Sequence, residues 1–138
     1  MTTSLTALAL LLGWILVLLM ITLSYRGFMV ITAKRGADAW TRGRDPQDNP
    51  LFERIAGAYA NSIEAAPLFA AIILMAQVSG QSAVTDGLAM LFVGARVVQS
   101  LAHMTSISHW MIFLVRFPAF LVQVALMIFW VLALTSLV

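Results

Sequence analysis

No cysteine occurs in the chain, and only 10% of its residues are charged. The first absence excludes disulfides, a protein thiolate and a cysteine metal site, so any thiol chemistry here needs a sulfur carried in by a ligand. The second, with a net charge of +2, leaves no basic surface of the kind that holds nucleic acid, and no nucleic-acid partner is expected. His103 and His109 have no partner at metal-ligand spacing, so no metal site is expected either. Nothing basic precedes the first apolar run and no small-x-small site follows it. That run therefore reads as an uncleaved span rather than a signal peptide. Linkers and low-complexity tracts are also missing, and residues 1–138 are expected to form one domain.

Hydrophobic residues make up 62% of the chain, and its mean hydropathy is +0.96. This is far from a soluble domain and predicts an all-α integral membrane protein. Apolar stretches at about 5–31, 50–78, 87–104 and 110–138 are each near the length that crosses a bilayer, predicting a four-transmembrane-helix bundle. The one sizeable polar segment lies between the first two. Asn49-Pro50 reads as an N-cap followed by a proline at the first helical position, and Pro67 predicts a kink beside Glu64. Thr85 or Asp86 is a candidate cap for the third span. Gly57 and Gly94 are expected at close helix contacts.

Basic residues decide orientation. Arg26, Lys34, Arg35, Arg42, Arg44 and Arg54 cluster in and around the first loop, which places that loop in the cytoplasm and the termini outside. The expected setting is a bacterial inner membrane, with membrane lipid as the surrounding partner.

Polar groups inside such spans are costly and mark functional sites by default. Gly57, Asn61 and Glu64 share a helical face in the second span, and Arg96, Gln99 and His103 share one in the third. Arg116 and Gln123 are seven apart in the fourth. At 1.5 Å per residue, Glu64 lies roughly 15–20 Å into its helix and Arg96 roughly 12 Å from the end of its own, so the two can meet near mid-membrane. With Arg26, Arg54, His103 and Arg116 at the loop-side ends, the pattern outlines a cationic cavity with Glu64 at its floor. Such a cavity suits a small anion that also carries an amine, and its positive field favours the thiolate of a thiol ligand.

The second-span pattern E-R-x-x-x-A-x-x-N-x-x-E-x-x-P, made by Glu53, Arg54, Ala58, Asn61, Glu64 and Pro67, resembles the MAPEG family, the membrane-associated proteins in eicosanoid and glutathione metabolism. Ala95-Arg96-Val97 in the third span and Arg116 early in the fourth extend the resemblance over almost the whole chain. It implies a homotrimer that binds glutathione as co-substrate between neighbouring subunits. It also implies transferase, peroxidase or isomerase chemistry on lipophilic small molecules. Arg54, Asn61, Glu64 and Arg96 match glutathione-contacting positions; Arg26 and His103 join them as candidate contacts, and Arg116 matches the arginine that activates the thiol.

Four departures from the family pattern stand out. Gly57 and Ala60 replace further second-span arginines, and Gln99 and His103 stand where a histidine and a tyrosine are common. They motivate an alternative, a non-catalytic subunit or ligand-binding module of the same fold in which Glu64 and Arg96 form a structural pair. A proton-coupled exporter built on Glu64 is a third reading.

Overall fold

The computed structural model describes residues 1–106 and 108–136. Every regular element in them is helical. Helix α1 spans Thr3–Ile31, capped by the Thr2 hydroxyl, which accepts from the Leu5 amide at 3.3 Å. It ends where Ala33 takes a φ of 54°, a left-handed conformation that brings the Lys34 amide back to the Met29 carbonyl at 3.0 Å.

Helix α2 spans Pro50–Val78. The expected start is realised: Asn49 Oδ1 accepts from the Leu51 amide at 3.0 Å, while Glu53 Oε1 reaches back to the Asp48 amide at 3.1 Å. The helix runs on through Pro67.

Helix α3 is a single turn, Ala83–Asp86, and α4 is Ala89–Thr105. Neither Thr85 nor Asp86 caps α4, whose N-cap Leu88 makes no side-chain bond. Both are drawn away to the start of α1. Ser4 donates its amide to Asp86 Oδ1 at 2.8 Å, its hydroxyl also bonds Asp86, and Ser4 Oγ lies 2.8 Å from Thr85 Oγ1. A donor-rich helix N-terminus outcompetes a nearby turn for a carboxylate.

The last helix, α5 (His109–Ser136), contains a widened π turn at Ile112–Arg116. Pro118 explains it. Lacking an amide proton, Pro118 cannot bond the Leu114 carbonyl, and the ladder shifts so that the Phe117 amide bonds the Ile112 carbonyl, five residues back.

Helices α1, α2 and α5 are long and apolar enough to cross a membrane. Helix α4, with 17 residues, packs against all three. Away from the loop, the core centres on Phe69 and Phe92, stacked at 4.2 Å, with Trp130 tilted against both at 6.0 and 6.1 Å. Lipid is as apolar as these side chains, so close packing and ring geometry hold them rather than exclusion from water. A smaller cluster of Leu18, Ile55 and Ala58 lies toward the loop. Polar side chains of α2, α4 and α5 interrupt the packing between the two clusters.

Candidate functional site

That polar seam begins with Arg96, a buried arginine at 1% exposure. Its Nη1 donates to the main-chain carbonyl of Asn61 at 3.2 Å, so α4 is tied to the backbone of α2 rather than to the Asn61 amide. Arg96 Nε has no partner. Asn61, Glu64 and Arg96, with Leu68, Phe120 and Met127, line a cleft of about 110 Å³. The two charges thus share a cleft, as their depths predicted. Among the described residues, however, no ion pair joins them within 4.0 Å. Glu64 lines this cleft yet remains exposed, in the middle of a helix apolar enough to cross a membrane.

One turn toward the loop, Gly57 makes room for His103. A Cβ built at Gly57 would stand 2.8 Å from His103 Nε2. This is the close helix contact expected of that glycine, whereas a Cβ at Gly94 meets nothing within 4 Å. His103 Nδ1 is buried without a partner, as are the Nε atoms of Arg54 and Arg116. Arg54, Gly57, Asn61 and Glu64 fall at i, i+3, i+7 and i+10, a stripe along α2.

Two polar pairs back this stripe. Ser62 Oγ bonds the Ala58 carbonyl at 2.8 Å and lies 3.3 Å from Ser100 Oγ. Gln123 Nε2 bonds Gln99 Oε1 at 2.9 Å and the Ala119 carbonyl at 2.8 Å. Sequence reasoning passed over Ser62 and Ser100, both of which are buried. It also left Gln99 and Gln123 on separate stripes that in fact meet.

Arg26 stands apart. It lines a different pocket, of about 480 Å³, between the loop-side end of α1 and the 33–49 segment, with Trp40, Arg44, Asp45, Asp48 and Glu53. Its guanidinium lies over the Trp40 ring at 5.5 Å. The single cationic cavity expected from the sequence is therefore two spaces within one chain. The loop itself is organised around Asp48, which accepts from Trp40 Nε1 at 2.6 Å and from the Tyr25 hydroxyl at 3.4 Å. Tyr25 also stacks on Phe52 at 3.9 Å.

Long apolar helices enclosing a seam of arginine, glutamate, histidine and amides define a helical integral membrane protein with a polar site inside it. The chain belongs to the MAPEG family, which matches residues 4–136 of its 138. No curated protein and no solved structure matches it.

Proposed function

We propose that the chain is a glutathione-dependent transferase or peroxidase acting on lipophilic electrophiles, working as a homotrimer of four-span subunits. One observation carries this reading. Three arginines and a histidine point buried nitrogens without partners along one seam: Arg54, Arg96 and Arg116 at Nε, and His103 at Nδ1. Unpaired buried donors are costly, and an anionic ligand relieves that cost.

In this proposal Arg54 and Arg96 take the carboxylates of glutathione, and Glu64 takes its ammonium. Asn61 fixes the peptide, and His103 borders the site. Arg116, brought beside α4 by the π turn, stabilises the thiolate. The thiol proton leaves to water, and the sulfur lone pair forms a carbon–sulfur bond to an electrophile or attacks a peroxide oxygen. The pair displaced goes to the leaving atom. Because Glu64 is exposed on a single copy, a neighbouring subunit completes the site, as polar groups at membrane depth require cover.

Thiolate formation tests this directly. Purified protein mixed with glutathione should show ultraviolet thiolate absorbance, and Arg116→Ala should remove it while binding persists. Absence of binding at millimolar glutathione sinks the proposal.

A second reading, binding without turnover, is favoured by the Gln99–Gln123 bond. Position 99 spends its carbonyl on another helix and offers the ligand less. This reading expects glutathione binding without thiolate absorbance and without conjugation of a lipophilic chloroarene.

A further inference from the structure

The glutathione proposal leaves Arg26 and its surroundings unused. Arg26 and Trp40 form a common wall between two spaces. On one side lies the 480 Å³ polar pocket; on the other is an apolar groove of about 460 Å³, lined by Leu23, Gly27, Val30 and Ile31 of α1 and by Ala37 and Thr41 of the loop. At 1.5 Å per residue, Arg26 lies roughly 30 Å along α1 from Leu5, which is the thickness of the hydrocarbon core. The wall thus stands at headgroup depth, where arginine and tryptophan both settle.

Most charges around the polar pocket are already engaged. Arg44 pairs with Asp38 at 2.6 Å, Asp48 holds Trp40 and Tyr25 with Arg35 3.9 Å away, and Glu53 caps the Asp48 amide. Arg26 and Asp45 line the same pocket, and neither has an ionic or hydrogen-bonded partner among the described residues. A cation that rests on the Trp40 ring without an anionic partner and a carboxylate without a cationic one, beside an apolar groove at the membrane surface, complement a zwitterionic amphiphile.

We propose that this is a binding site for a phospholipid with a primary-amine headgroup. The phosphate bonds Arg26, the ammonium donates to Asp45, and an acyl chain lies in the groove over Gly27. A quaternary ammonium has no proton to donate to Asp45, and the uncharged hydroxyl of a glycerol headgroup donates a weaker bond to a carboxylate than an ammonium does. The site therefore selects phosphatidylethanolamine over phosphatidylcholine and phosphatidylglycerol. Gly27 fits the role, since a Cβ there meets nothing within 4 Å and the groove stays open above it.

The test is native mass spectrometry of the full chain, released from membranes holding equal amounts of the three lipids with the same acyl chains. The wild type should retain phosphatidylethanolamine preferentially. Arg26→Gln should reduce that retention about tenfold, equivalent to one charge-assisted contact. Asp45→Asn should abolish the preference over phosphatidylcholine. Gly27→Leu, which fills the groove from a helix position where leucine is well tolerated, should release the lipid with the charges intact, and it decides the matter if Arg26→Gln does not fold. Equal retention of the three lipids overturns the proposal, as does retention unchanged in both Arg26→Gln and Gly27→Leu. Displacement of the lipid by glutathione also overturns it, by returning Arg26 to the thiol site.

Discussion

Gly57 and His103 show how much one missing side chain can decide. With no Cβ on α2 at this level, the imidazole of α4 fills the gap, held so closely that an added methyl would stand 2.8 Å from Nε2. A well-packed interior tolerates such an insertion poorly. Gly57→Ala is expected to cost about 1–3 kcal/mol by overpacking, while gaining up to about 1 kcal/mol in helix propensity. In a His103→Ala background the crowding should vanish and only the gain remain, so a double-mutant cycle on thermal unfolding in detergent should show strong coupling. Additive effects would mean the two residues do not touch. Glycine at position 57 was readable from the sequence as a contact position. That histidine is its partner was not, because the pairing depends on how far α4 slides along α2.

Among the elements, the junction of α1 with α3 is the least expected. Asp86 reads locally as a helix cap, yet it serves a helix 82 residues away. Its carboxyl is held below the ordinary value of 3.8, chiefly by the Ser4 hydroxyl and then by the Ser4 amide. The lowered value means these bonds stabilise the fold fully above the ordinary carboxylate range and stop doing so as pH falls through the depressed one. Asp86→Ala should destabilise the protein by about 1 kcal/mol, as loss of a helix cap does. The gap between variant and wild type in thermal unfolding should close on acidification below pH ~4. A gap constant down to pH ~2 would show that the carboxylate charge plays no part. The start of α2 was legible, by contrast, because Asn49 and Pro50 act within one turn of each other, whereas the bond from the Asp48 amide to Glu53 emerged only in the structure. The π turn of α5 also has a local cause, Pro118, but the residues before a proline do not announce which way the ladder will adjust.

For the whole molecule, the decisive feature is that the polar seam is not closed. Glu64 lines the cleft but is left exposed on a helix apolar enough to span a membrane, and a bare carboxylate open to lipid costs several kcal/mol. Assembly should cover it. Native mass spectrometry in mild detergent is expected to give three copies, and Glu64→Gln, which keeps the volume and removes the charge, should leave the assembly intact while weakening glutathione retention about tenfold or more. A chain that stays monomeric in lipid nanodiscs would remove the basis for a shared site.

Sequence alone determined the membrane environment, the helical class and the family, because each follows from properties that add up along the chain: hydropathy, period and a motif confined to one helix. It also nominated the residues of the seam, since charge in an apolar helix is conspicuous wherever the helix lies. Tertiary structure decided which of those residues stand together. Arg96 was brought to the Asn61 carbonyl, His103 to Gly57 and Gln123 to Gln99, while Arg26 was turned away to Trp40. Those pairings depend on the axial offset and rotation of one helix against another, set by packing over many small contacts, and no single stretch of sequence contains them.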